Sequence, residues 1–161
     1  MDVVLFLQKK YGEALKVCKK KLRESELLAD ICRNLSFLGR IYVAINKPGM
    51  EITTIKKAIS LSKNNQIIHE LVKAYHELAN LFFSNNRDMS KAITAYNTAF
   101  ILAQGIGHTT FCRHIAFNLA RAYDVTGNIN DAYHHYTYLL RSYKTQESTD
   151  PQDVEIVRAT R

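Results

Sequence analysis

The chain has little of what interrupts a helix. Two Pro and six Gly in 161 residues leave long stretches without a backbone break, and no run alternates Val, Ile or Thr with polar residues as a half-buried strand would. A sheet-based domain is excluded and long helices are expected. No apolar run reaches the roughly 18 residues that cross a bilayer. The short run VVLFL follows Asp2 and precedes no small-residue cleavage site, so it does not read as a signal peptide. Three Cys, at 18, 32 and 112, have no short-range spacing and fall inside helical patterns. Cys18 and Cys32 could meet between neighbouring helices, but reduced thiols filling core gaps are the expectation, in a cytoplasmic setting. A phosphate-binding Gly loop, a nucleophile elbow and a His-x-x-x-His pair are all missing. His134 and His135 are adjacent, which puts them on different helix faces, and Cys112 and His114 share no face either. Nothing therefore points to catalysis, a metal or a cofactor.

What is present is a repeated helical pattern, clearest in NLARAYDVTGNINDAYHHY, residues 118–136. Leu119, Ala120 and Tyr123 share one face of a first helix, Gly127 suits a left-handed C-terminal cap, and Asn128 or Asn130 can cap the helix that follows. Ala132, Tyr136 and Leu139 repeat the spacing on that second helix, with the small Ala where two backbones approach. Upstream, Leu78, Ala79 and Phe82 precede Ala92, Tyr96 and Ala99 in the same order. An earlier copy has Leu38, Gly39, Tyr42, Ile55 and Ala58, with Glu51 where the small residue belongs. Ala14 and Cys18 mark a partial first copy. The aligned Leu residues, 38, 78 and 119, are 40 and then 41 residues apart.

This order of large, small and aromatic residues over two helices resembles the tetratricopeptide repeat, whose basic unit is about 34 residues. The longer period resembles the long-unit members: Pins-type polarity adaptors, kinesin light chains and bacterial Rap-type regulators. The resemblance covers about residues 10–143 and implies an all-α, right-handed α-solenoid of about four antiparallel helix pairs, with Tyr42, Phe82, Tyr96, Tyr123 and Tyr136 buried between helices. Residues 1–143 form the expected repeat domain. Residues 144–161 are polar and read as a tail or, with Pro151 at a first helical position, a short closing helix. Predicted helices span Asp2 to Lys9, Tyr11 to Arg23, Glu26 to Ile45 with Ser25 as cap, Glu51 to Lys63, Ile67 to Phe83, Ser90 to Ala103, one running to Val125 with Thr109 or Thr110 as cap, and a last one ending near Tyr143. Lys47, Pro48 and Gly49 make one turn, Asn85, Asn86 and Asp88 another, and Gly105 with Gly107 a flexible link.

The resemblance also implies a concave surface lined by the first helices. Two positions after each aligned Leu stand Arg40, Asn80 and Arg121. Seven positions before these stand Arg33, Lys73 and His114, two turns away on the same face. His76 and Phe117, with Phe37 and Asn118 alongside, lie between them. The expected groove is basic with amide and aromatic members: amides can bond a peptide backbone, Arg can grip carboxylates and aromatic rings can take an apolar side chain. The expected function is a non-catalytic adaptor that holds an extended, acidic or mixed segment of another protein. The alternative is a self-assembling structural segment of a larger array, stacking through Val3, Val4, Leu5 and Leu7 of an open first repeat. The formal charge of +7 is concentrated in Lys9, Lys10, Lys19, Lys20, Lys21 and Arg23. Without interleaved aromatics this cluster reads as a solvated helix face, and neither nucleic acid nor membrane is the expected partner.

Overall fold

In a computed structural model the described residues are 2–47, 49–84 and 88–147, and among them every regular element is a helix. The order is α1 Asp2–Leu7, α2 Tyr11–Glu24, α3 Leu28–Ala44, α4 Met50–Asn64, α5 Ile68–Ser84, α6 Met89–Gly105, α7 Thr109–Val125 and α8 Ile129–Glu147. None is long and apolar enough to cross a membrane. Each helix packs on the next, and α3 also packs on α5, so first helices of successive pairs line one side of an all-α solenoid. The last helix runs to Glu147, past the expected boundary at Tyr143. Pro48, Asn85, Asn86 and the proposed closing segment from Pro151 lie outside the described residues.

One C-terminal motif closes five helices. In it the residue two beyond the C-cap donates to the carbonyl five residues back, and the residue between, in the left-handed region, donates three back. At α7, Asn128 N–H donates to Tyr123 O at 2.9 Å and Gly127, at φ 75°, to Asp124 O at 3.0 Å. Gly107 does the same for α6, so the expected flexible link is a defined turn. Lys9, Asn46 and Gln66 occupy the equivalent left-handed position after α1, α3 and α4. The N-termini are less uniform. Asp88 caps α6 by accepting from Lys91 N–H at 3.0 Å, as its position suggests. Ser25 caps nothing N-terminal: it ends α2, donating to Lys21 O at 2.6 Å, while α3 begins two residues later than the cap would require. At α7 the cap is His108, whose Nδ1 accepts from Phe111 N–H at 3.2 Å, displacing the expected Thr109 or Thr110.

The core follows the repeat signature. Ala79, Ala92, Ala99, Leu119 and Ala120 are fully buried, and the small side chains let α5, α6 and α7 approach around Tyr96, itself 1% exposed. Tyr42 is buried in the amino-terminal cluster with Ala14 and Cys18, while Phe82 and Tyr123 are partly buried against their clusters. All three cysteines are buried free thiols. Burial pushes the Cys18 thiol up to about 11, keeping it protonated. Gly39 allows α3 to lie on α4, since a Cβ there would collide with Ile55 Cγ1. Tyr136 is a correction: it is 37% exposed. The inward face of α8 is set by Ala132 and His135, and the next residue along a helix points about 100° away. The His135 ring stacks on Tyr123, centroids 5.7 Å apart, and meets Phe100 edge-on, so His135 fills the place expected of Tyr136.

Candidate functional site

A cleft of about 890 Å³ is lined by the start of α1, the end of α2 and the turn after it, α3, α5 and, at the first turn of α7, Phe111. Of the residues expected to line a groove, it brings together Arg33, Phe37 and Arg40 from α3 with Lys73 and His76 from α5. Asn80 instead lines a smaller recess of about 250 Å³ next to Arg40. His114, Phe117, Asn118 and Arg121 stand on α7, beyond the cleft's last lining residue, Phe111.

Of Arg40, Asn80 and Arg121, the positions two after each aligned Leu, the two arginines share a geometry. The guanidinium carbon of Arg40 lies 5.2 Å from the Phe6 ring centroid and 5.6 Å from that of Phe37. That of Arg121 lies 5.1 Å from Phe83 and 5.7 Å from Phe117. In both cases one ring comes from the preceding turn of the same helix and the other from the preceding first helix. Cation–π attraction to two rings restrains the guanidinium in each case. At the middle position Asn80 replaces Arg, and Tyr96 O–H donates to its Oδ1 at 2.6 Å. His76 then bridges the repeats, with Nε2 3.0 Å from the Asn118 amide and Nδ1 3.5 Å from that of Asn80. Burial, reinforced by the nearby charges of His114 and Arg40, lowers the His76 pKa to about 4, so its ring is neutral at pH 7. His76, Asn80 and Asn118 thus fasten α5 to α6 and α7, and Phe37 is buried rather than presented.

The charges differ more sharply from expectation. Arg33 donates from Nε and Nη2 to Glu70 Oε1 at 3.3 and 3.1 Å, and from Nη1 to Asp30 at 2.7 Å. Lys73 reaches the same Glu70 oxygen at 3.2 Å, and Arg40 lies 3.7 Å from Glu77. Lys21, from the basic amino-terminal cluster, is 2.8 Å from Asp2. Burial raises the Glu77 pKa, and Arg40 and the Asn80 side chain oppose that rise. The cleft is therefore lined by four cations, Lys21, Arg33, Arg40 and Lys73, against six carboxylates, Asp2, Glu24, Glu26, Asp30, Glu70 and Glu77. A uniformly basic groove is not what these residues build. Counting the cationic face at seven-residue steps passed over Asp30, Glu70 and Glu77, although each stands three residues before a counted position and so on the same face. Phe6 and Phe83 were also passed over, because their roles depend on contacts between repeats. By contrast, Arg121 has no ion pair among the described residues.

Among the described residues no group of three or more His, Cys, Asp or Glu is placed to hold a metal ion. No protein-family model matches the chain, and no curated protein matches it in sequence. A solved structure does: BtubC (BKLC) from P. vanneervenii superposes with a TM-score of 0.80 at 14% identity, over 93% of this chain and 63% of that one. The chain thus spans less than two thirds of that protein's length. At this identity the likeness speaks to fold alone, and with the internal repeat it supports an all-α helical solenoid.

Proposed function

We propose that this chain is a non-catalytic protein-interaction module whose concave face holds an extended segment of another protein, with an acidic side chain at Arg121. The observation that carries this reading is the Arg121 guanidinium, 5.1 Å from the Phe83 ring centroid and 5.7 Å from that of Phe117 and without an ion pair among the described residues, on the helix whose Phe111 is the last residue lining the cleft. A fixed, planar fork recognises a carboxylate by two parallel N–H donors. Phe117, 48% exposed, offers an apolar side chain of the same segment a surface beside it. Arg33, Arg40 and Lys73 already face carboxylates of this chain, so Arg121 is where an acidic residue gains most.

Selection from a library of linear displayed peptides, followed by calorimetry, tests this. Peptides selected on the parent protein should lose roughly 2 to 5 kcal/mol of binding on Arg121→Glu, where attraction becomes repulsion. The fold should shift by only about 0.5 kcal/mol, as exposed-face substitutions do. Affinity should fall as salt rises. Lys20→Glu, on an exposed face of α2 outside the cleft, should leave binding unchanged. Equal affinity of parent and Arg121→Glu, or no selectable peptide, would refute the reading.

A second reading, self-assembly through the amino end, is favoured by one observation: Val3, Val4 and Leu7 on α1 are each at least half exposed. Leu5 is instead packed against the amino-terminal core. Light scattering decides it, because a monomer at high concentration removes assembly through α1.

A further inference from the structure

We propose that the end of the cleft formed by α3 and α5 is a subsite for a basic side chain, Lys or Arg, of the bound segment, which gives that segment a direction: cation at Glu70, carboxylate at Arg121. This inference rests on the concave face being a peptide site and adds to it the charge and polarity of the ligand.

Glu70 carries the argument. It lines the cleft yet is only 2% exposed, and its two oxygens are used unequally. Oε1 accepts from both Arg33 and Lys73, whereas Oε2 is buried with no hydrogen-bond partner. A buried carboxylate oxygen without a donor is unfavourable by the desolvation of that atom, and a donor arriving with a ligand relieves it. The surrounding charge indicates which donor. Asp30 shares Arg33 with Glu70 and Glu26 lines the same cleft, where carboxylates outnumber cations six to four. One further positive charge reduces that excess, while another carboxylate would enlarge it. Arg33, which covers Glu70 with two hydrogen bonds, has a side chain 55% exposed to the cleft side and to solvent. An ammonium or guanidinium supplies several N–H donors and can bond Oε2 while also meeting Glu26 or Asp30. On α7 stands Arg121, a cation without an ion pair among the described residues, so the two parts of the face differ in sign.

Selection of displayed linear peptides on the parent protein, on Glu70→Gln and on Arg121→Glu tests the proposal. Peptides chosen by the parent should carry a Lys or Arg at a fixed spacing from an Asp or Glu. Exchanging that basic residue for norleucine in the synthetic peptide should weaken binding at least about tenfold. Glu70→Gln, which keeps the shape and removes the charge, should cost a similar factor and make the protein nearly indifferent to the norleucine exchange. Should Glu70→Gln fail to fold, the norleucine exchange and Glu26→Gln, an exposed change, read the same subsite. Peptides that depend on Arg121 but tolerate both norleucine and Glu70→Gln would overturn the cation subsite and leave the groove reading intact. Peptides indifferent to Arg121→Glu, or no peptide binding at all, would overturn both.

Discussion

His76 on α5 stands between two amides, Asn80 on its own helix at 3.5 Å and Asn118 on α7 at 3.0 Å, and is the only ring among the described residues to bridge two first helices by such bonds. A neutral imidazole has one N–H and one lone pair, so one amide must present its oxygen and the other its NH2. Protonation would turn both nitrogens into donors and break the pattern.

That relationship predicts acid sensitivity. In the unfolded chain His76 titrates near 6.5 and in the folded protein near 4, so between those values the unfolded state binds more protons. The associated stability is complete above about pH 6.5 and is lost as pH falls towards 4, amounting to a few kcal/mol at most. Burial lowers the pKa of His69 and His135 as well, which adds in the same direction. His76→Gln, which retains one amide contact and cannot charge, should flatten the fall in melting temperature between pH 7.5 and 5. Superimposable pH profiles of parent and variant would remove His76 as the cause.

Gly39→Ala should destabilise by about 1 to 3 kcal/mol, the usual effect of overpacking, because the new methyl meets Ile55 Cγ1. Ile55→Ala removes that atom. The double variant should therefore lose less than the two single losses added together, measured by urea unfolding. Strict additivity would mean that α3 and α4 do not touch there.

Gln66→Gly should raise stability by up to about 1 kcal/mol. Gln66 has φ 55° and closes α4 in the left-handed conformation that an ordinary side chain resists. A chemical melt showing a loss instead would mean that its side chain contributes more than its backbone strain removes.

Tyr136→Ala should cost under about 1 kcal/mol, whereas Tyr96→Ala should cost about 3 to 5 kcal/mol, as for other buried aromatic residues. A thermal melt of each variant separates the two. Equal losses would mean that the exposed side of α8 is covered.

The contrast between these two tyrosines shows what the sequence carried. Helix number, order and period were legible, because Leu119, Ala120 and Ala132 recur at spacings only a stack of helix pairs requires. Gly107 and Gly127 marked chain reversals, but Lys9, Asn46 and Gln66 make the same turn without a residue type that signals it. Rotation about the last helix was not legible, since His135 and Tyr136 are both aromatic rings and a periodicity argument cannot choose between neighbours. At the site, Arg121 and Arg40 were found by counting along one face. Their ring partners Phe83 and Phe6, and the pairing of Arg33 and Lys73 with Glu70, depend on how consecutive repeats are set against each other, which spacing within one helix does not encode.

The central claim, that the inner side of α3, α5 and α7 receives the partner segment, is tested most directly by amide and side-chain NMR of the full chain titrated with a peptide selected as above. The account predicts saturable shifts at Arg33, Glu70, Lys73, Phe117 and Arg121, with α4, the exposed face of α2 around Lys20 and the outer side of α8 silent. Shifts concentrated on the exposed face of α8 around Tyr133 and Leu140, with Arg121 and Glu70 unmoved, would contradict it.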